Sequence, residues 1–454
     1  MSKRTPEPTA SPRERTFLVG VELYGQEHLL SLEDSLLELS LLCNTAGLEV
    51  VGELTQKLDR PNSETFIGSG KVEELKALAE DSLAQVIVFD NELSPRHQRE
   101  LEKHIGEKIR VLDRTAVILD IFAQHAHTSE GQLQVKLAQY EYFLPRLTGQ
   151  WTHLARQAGG GGGRSGSVGG VGLRGPGETQ LEVDRRAIHH EIGHLKDEIE
   201  KVRAHRSRAR AQRKRSQIPT VALVGYTNAG KSTLLNRLAG ANIYTADQLF
   251  ATLDPTTRRV ELSGGYQALF TDTVGFIQKL PTTLIAAFRA TLEEIAESDL
   301  LLHVVDISHP NAMNQAEAVD ETLNEIEAEN VPVITVLNKI DRLTDPAAAR
   351  GIVEQFPQAV AVSALTGEGI DNLLEMLRNN LYEAFSPILV RLPYKQGQLI
   401  SLFHQLGQVE RVEQERKGVL MQGRIPGRLM AQFKPWQVKP GEKEKEEEDG
   451  SMVE

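Results

Sequence analysis

Residues Gly225-Tyr-Thr-Asn-Ala-Gly230-Lys231-Ser232 satisfy G-x-x-x-x-G-K-[ST] at every fixed position, a spacing suited to phosphate. Glycines let successive backbone N–H groups converge on phosphate oxygens, and a helix N-terminus adds its positive dipole end. Lys231 is placed to reach the β- and γ-phosphates, and the Ser232 hydroxyl to ligate Mg²⁺. Gly225, Tyr226, Thr227, Asn228, Ala229, Gly230, Lys231 and Ser232 are thus the first part of an expected nucleotide site.

Four later segments carry complementary chemistry. In Phe250, Ala251, Thr252, Leu253 and Asp254, Thr252 offers a second Mg²⁺ hydroxyl, with Thr256 and Thr257 less favoured. In Asp272, Thr273, Val274 and Gly275, the Asp272 carboxylate would hold Mg²⁺ through water and the Gly275 amide would sense a γ-phosphate. Asn338, Lys339, Ile340 and Asp341 bring a carboxylate that can accept both the ring N–H and the amine of guanine. Adenine presents a different edge and would leave that charge unpaired. Ser363, Ala364 and Leu365 can give a backbone amide to the guanine oxygen. All five segments in this order predict a Mg²⁺-dependent GTPase, with Lys231, Thr252 and Gly275 as catalytic groups and Ser232 and Thr252 as metal ligands. Ras-like enzymes carry a water-positioning glutamine after Asp-x-x-Gly; this chain has Phe276, so unaided hydrolysis should be slow.

These segments need a scaffold of strands feeding loops. Pro219 to Val224 reads as a buried parallel strand and Ser232 to Ala239 as a helix stopped by Gly240. Further strands are expected at Leu300–Asp306, Val333–Leu337 and Ala359–Ser363, with an edge hairpin at Arg258–Leu262 and Gln267–Phe270 around Gly264-Gly265. The pattern predicts an α/β fold: a mostly parallel sheet with helices on both faces over residues 218–385. Residues 17–130 read as an N-terminal α/β domain, with strands at Phe17–Leu23 and Val86–Phe89 and helices over Ser31–Ala46 and Ser94–Ile105. Within it Gly68-Ser-Gly-Lys71 imitates a phosphate loop but lacks the hydroxyl and the first glycine. It reads as a turn into a helix from Val72 to Ala79.

Residues 131–217 predict a long antiparallel helical hairpin. One helix shows Leu133, Leu137, Tyr140, Leu144, Leu147, Trp151 and Leu154 at seam spacing, kinked at Pro145. The other shows Leu181, Ile188, Ile192, Leu195, Ile199 and Val202, with Arg185 out of pattern. Between them Gly159 to Gly177 forms a glycine-rich loop carrying Arg164 and Arg174. His190-Glu-Ile-Gly-His194 matches the zinc-protease spacing H-E-x-x-H. Ile192 falls on the seam and no third ligand is evident, so both histidines read as surface residues. A small α+β domain is expected over 386–438, with a disordered tail at 1–16 and a charged tail at 439–454.

Charge is segregated along the 454 residues. The net charge is −12, yet residues 131–220 hold 16 Lys+Arg against 8 Asp+Glu, a balance of +8 that leaves −20 elsewhere. Lys201 to Arg215 contains no acidic residue, which points to an RNA contact rather than a solvated helix face. With Cys43 as the sole cysteine and no apolar run of bilayer length, the chain reads as cytosolic.

Tyr226-Thr-Asn-Ala-Gly-Lys-Ser, Phe250-Ala-Thr-Leu-Asp-Pro-Thr and Asp272-Thr-Val-Gly-Phe together resemble the HflX family of ribosome-associated GTPases, as do the glycine-rich stretch, Gly68-Ser-Gly-Lys-Val-Glu-Glu and Asp113-Arg-Thr. The resemblance runs from Phe17 to about Val438. It implies binding of GTP/GDP and of the large ribosomal subunit and its rRNA near the peptidyl-transferase region, and splitting or rescue of stalled ribosomes under stress. Some GTPases similar at Gly225-x-x-Asn-x-Gly-Lys-Ser use that asparagine, here Asn228, to hold K⁺. Two rival functions fit the same residues: a subunit-assembly GTPase, and an RNA-binding adaptor in which GTP only selects a conformation.

Overall fold

A computed structural model of the chain describes residues 13–25, 29–106, 108–147, 180–215, 218–240, 249–250, 252–263, 266–279, 289–343, 356, 358–382, 385–415, 418–426 and 429–438. In the N-terminal part, β1 (Arg15–Leu23), β2 (Glu49–Leu58), β3 (Val86–Phe89) and β4 (Arg110–Asp113) form a parallel sheet in the order β2-β1-β3-β4. β1 and β3 are near-continuous apolar runs because both sheet faces are covered. Leu18, Val86 and Val88 pack with α1 (Leu32–Thr45) and α4 (Arg114–His125). Phe17, Val19, Ile87 and Phe89 belong to a separate core with α2 (Ser69–Asp81) and α3 (Pro95–Ile105). Ser31 caps α1 through the Asp34 amide and Ser94 caps α3 through the His97 amide. The helix expected at Val72 starts at Ser69 instead. Gly68, at φ −64°, is its N-cap, so the phosphate-loop imitation is spent in a helical first turn.

The hairpin begins at α5 (Ser129–Phe143), so the expected domain border at 130/131 cuts through a helix. α5 was expected to continue through a kink at Pro145; it stops at Phe143, and Leu144–Arg146 is a single 3₁₀ turn. Proline supplies no N–H and its ring obstructs the preceding turn, and the next residue, Arg146, fixes the ending. Arg146 turns inward, donating to Leu93 O at 2.6 Å and Gln98 Oε1 at 3.2 Å while its guanidinium lies 3.7 Å over the Tyr142 ring. Asp113 faces it, accepting from the Tyr142 hydroxyl at 2.8 Å and capping α4 through Ala116 N.

Against α5 runs α6 (Gln180–Arg215). Leu137, Ile192 and Leu195 are buried in the seam with Leu133, Tyr140, Leu144, Ile188 and Ile199 beside them. Lys136–Glu191 at 2.7 Å and Lys196–Glu141 at 2.8 Å flank it. His190 and His194 are exposed on either side of Ile192. Trp151, Leu154 and the glycine-rich stretch 159–177 lie outside the described residues.

The nucleotide-binding sheet has six strands in the order β10-β9-β8-β5-β7-β6. They are β5 (Thr220–Gly225), β6 (Thr256–Leu262), β7 (Tyr266–Asp272), β8 (Leu300–Asp306), β9 (Val333–Asn338) and β10 (Ala359–Ala361), and β5 pairs in parallel with both β7 and β8. The order reverses at β5, which places the ligand crevice outside the carboxyl ends of β5 and its neighbours.

Contacts divide the chain into Met1–Glu261 with Gln267–Ile370, and Leu262–Tyr266 with Asp371–Glu454. The border expected at 385/386 therefore falls within the second unit, because most of the helix Ile370–Leu381 groups with the C-terminal part. That unit contains an antiparallel sheet of β11 (Phe385–Pro393), β12 (Gln408–Glu415) and β13 (Gly418–Pro426), ordered β11-β13-β12, with the helix Gly397–Leu406. Among the described residues no helix is long and apolar enough to cross a membrane.

Candidate nucleotide site

β5 delivers the chain to Gly225, and α7 (Lys231–Leu238) leaves from Lys231, so the loop between them wraps a helix N-terminus. Gly230 caps that helix at φ +95°, and a Cβ there would collide with the Asn338 amide. Lys231 is buried and folded back, its Nζ donating to Gly225 O at 3.0 Å and Tyr226 O at 2.8 Å. Burial lowers its pKa to about 8, with Asp272 pulling the other way.

Three oxygen-bearing groups meet at the start of α7. Ser232 Oγ lies 2.8 Å from Thr252 Oγ1 and donates to Asp272 Oδ2 at 2.5 Å, while Thr252 Oγ1 donates to the same oxygen at 3.1 Å. Burial raises the Asp272 pKa against the pull of Ser232 and Lys231. Its Oδ1 is buried without a hydrogen-bond partner, as is Thr227 Oγ1. Two hydroxyls and a carboxylate with an unpaired oxygen form a hard donor set that fits Mg²⁺. Gly275 closes this end: a Cβ on it would sit 3.0 Å from Thr227 Cα and 3.2 Å from Lys231 Nζ.

At the far end the loops brace one another. Asn338 is buried, its Nδ2 donating to Ala229 O at 2.9 Å and its Oδ1 accepting from Ala364 N at 3.0 Å. Lys339, held at φ +67°, donates to Asn228 O at 2.8 Å and pairs with Asp306 at 2.6 Å. Ser363 Oγ donates to Asp341 Oδ1 at 2.6 Å. Arg237 of α7 holds the Ala364 carbonyl at 3.1 Å and the Leu365 carbonyl as well.

Four family profiles together match most of the chain. A profile described as "GTP-binding GTPase N-terminal" matches residues 33–123, and "GTP-binding GTPase Middle Region" matches 125–213. "50S ribosome-binding GTPase" matches 220–339 and "HflX C-terminal domain" matches 351–450. The GTPase HflX of Escherichia coli (strain K12) is 44% identical over 396 residues, covering 87% of this chain and 90% of that protein. That of Lacrimispora saccharolytica is 45% identical over 418 residues, covering 92% and 95%. This chain belongs to the HflX family of GTPases. A crystal structure of a GTP-binding protein from Sulfolobus solfataricus in complex with GDP is 22% identical, covers 81% of this chain and 98% of that one, and has a TM-score of 0.41.

As an HflX-family GTPase the chain binds guanine nucleotide and hydrolyses GTP. Its residues distribute unevenly over the site expected from sequence. Thr252 reaches the Ser232–Asp272 cluster, whereas the less favoured Thr257 bonds to Thr271 at 3.0 Å. Phe250, Leu253 and Asp254 turn away from it. Phe250 stacks edge-on against Phe122 of α4 with centroids 4.7 Å apart, Leu253 is buried in the same core, and Asp254 accepts from the His127 and Thr128 amides. Ala251 lies outside the described residues. Thr273 donates back to Leu223 O at 2.5 Å, Val274 is buried in the core, and Ile340 packs against Val305 and Leu337. Those three can face a nucleotide only through backbone. Of the backbone amides of Ser363, Ala364 and Leu365 offered to the guanine oxygen, that of Ala364 is given to Asn338 and that of Ser363 to Glu368 O at 2.9 Å.

A buried network that sequence reasoning missed ties this site to the N-terminal sheet. The Tyr226 hydroxyl donates to Glu38 and accepts from Gln278 N at 2.9 Å. Glu38 pairs with Arg114, Arg114 with Asp90 at 2.8 Å, and Asp90 with Lys279 at 2.5 Å. Burial opposes the Asp90 charge, yet Arg114 and Lys279 hold its pKa below the ordinary carboxylate value. Burial and the Glu38 carboxylate push the Tyr226 pKa up. Two sequence signals touch this network, Tyr226 in the phosphate loop and Arg114 in Asp113-Arg-Thr, but neither shows that the two meet.

Proposed function

We propose that this chain is a cytosolic Mg²⁺-dependent GTPase that binds the large ribosomal subunit through its N-terminal and helical regions and splits or rescues stalled ribosomes under stress. The observation that carries the reading is the meeting of Ser232 Oγ and Thr252 Oγ1 on Asp272, beside Lys231 at a helix N-terminus. Mg²⁺, bound there, would neutralise charge on the phosphates. Lys231 adds a fixed cation, and Gly275 lies close enough for its amide to meet a γ-phosphate. Asp341, set by Ser363, accepts the two guanine donors.

Phe276 explains why the reaction would be slow alone. Its side chain is buried, and its backbone is laddered to the phosphate loop through Thr227 N–Phe276 O at 2.8 Å and Phe276 N–Gly225 O at 3.1 Å. An apolar ring turned into the core orients no water, so a stimulating partner is needed. The "50S ribosome-binding" profile over 220–339 and the eight Lys and Arg without an acid between 201 and 215 support a ribosomal partner. Nucleotide turnover titrated with purified ribosomal subunits tests this. Stimulation by large subunits that weakens steeply with salt is the expected result, and rates indifferent to subunits would sink the ribosomal part.

A further inference from the structure

The stretch that carries Thr252 is fastened at both ends to something other than nucleotide. Before it, Phe250 adopts φ +55°, an unfavourable backbone for a bulky residue, and its ring is locked against Phe122 near the end of α4. After it, Asp254 spends both carboxylate oxygens on the turn that joins α4 to α5. Oδ2 accepts from His127 N at 2.9 Å and Thr128 N at 2.8 Å, and Oδ1 accepts from the Thr128 hydroxyl. Thr128 is itself the N-cap of α5, accepting from Gly131 N at 3.0 Å, so the Asp254 charge sits at the positive end of that helix. A Cβ on Gly131 would strike Asp254 Oδ1 and push the carboxylate aside.

Thr252 lies two residues from each anchor, and two residues of chain span at most about 7 Å. Little slack separates the α4–α5 elbow from the Thr252 hydroxyl. We infer that Asp254 is a positioning residue: it sets Thr252 against Ser232 and Asp272, and so makes metal coordination in the triphosphate state depend on where the root of the helical arm lies. The inference rests on the Mg²⁺ site proposed above. It gives the arm a direct mechanical route to the nucleotide, because α5, which opens the hairpin, starts at the residue after the Thr128 cap.

The test uses the full-length chain with Asp254→Ala, Gly131→Ala, the double variant and Ser232→Ala. Gly131→Ala keeps the carboxylate but pushes it aside, and the better helix former in the first turn of α5 limits the loss of stability. Three quantities are read: the Mg²⁺ concentration for half-maximal hydrolysis, the affinity for a fluorescent non-hydrolysable GTP analogue, and that for fluorescent GDP. Asp254→Ala and Gly131→Ala are each expected to raise the Mg²⁺ requirement and weaken analogue binding by about ten-fold, the loss of one good ligand contact, with GDP binding unchanged. The double variant should be no worse than Asp254→Ala, since the atom that a Cβ on Gly131 meets most closely is that carboxylate's Oδ1. Additive effects, or unchanged Mg²⁺ requirement in both single variants, would overturn the inference. If Ser232→Ala also leaves the Mg²⁺ requirement unchanged, the metal site itself is wrong; if it alone moves, only the positioning role fails.

Discussion

The two ends of the nucleotide site are finished to different degrees. At the guanine end the polar groups are already matched by protein: Asn338 bridges Ala229 and Ala364, Asp341 is set by Ser363, and Lys339 is shared by Asn228 and Asp306. At the phosphate end Asp272 Oδ1 and Thr227 Oγ1 are buried without partners, and Lys231 folds onto loop carbonyls. A buried polar atom left unpaired costs about 1–3 kcal/mol, which a metal ion and phosphate oxygens can recover on binding. The guanine end is therefore rigid before the ligand arrives, which favours selectivity. The phosphate end is completed by the ligand, which favours a site that responds to the number of phosphates.

The largest break in this contrast should come from Lys231→Ala. Loss of its cation from a water-poor site is expected to slow single-turnover hydrolysis by about 10³-fold or more. Asp341→Asn should act only on the base, weakening GTP about 10²-fold while improving xanthosine triphosphate, whose carbonyl replaces the amine donor. Competition binding with both nucleotides checks it, and parent-like GTP affinity would show that Asp341 does not read the base. Asn338→Ala would leave the Ala229 carbonyl and Ala364 amide unpaired, so a loss of nucleotide affinity of about ten-fold or more is expected, measured by titration calorimetry.

His303 offers a subtler probe beneath the phosphate loop. It is buried on β8, its Nε2 without a partner, and burial followed by the Lys231 charge lowers its pKa from 6.5 to about 4. The unfolded chain takes the proton first as pH falls, so stability is complete above pH 6.5 and is lost towards pH 4. The slope from this one residue should be about 1.4 kcal/mol per pH unit, and urea unfolding of His303→Gln should show it removed. The smallest effect expected is ionic. Replacing potassium with sodium should slow the parent a few-fold and leave Asn228→Ala unmoved, a modest share of what a charge beside the phosphates can supply.

Much of the nucleotide site was legible because its motifs are local. A strand, a glycine-bearing turn and a helix start are encoded within consecutive residues, and each later segment is announced by a short run at the end of an apolar strand. The same locality made the seam of the hairpin readable from spacing alone. Spacing predicts a kink at Pro145, but the ending depends on Arg146 finding Leu93, Gln98 and Asp113, partners distant in the chain that spacing cannot reveal. Phe250 and Asp254 were misplaced for a related reason. Their neighbours in sequence contact the nucleotide site, but their own side chains are claimed by Phe122 and by the α5 cap. The order of residues along the chain determined that a glycine-bearing loop would join a strand to a helix start and which segments would gather around it. Which of those residues are also tied to the N-terminal sheet and the arm was set by long-range packing, because burial of a charge or a ring is favourable only where folding brings a partner to meet it.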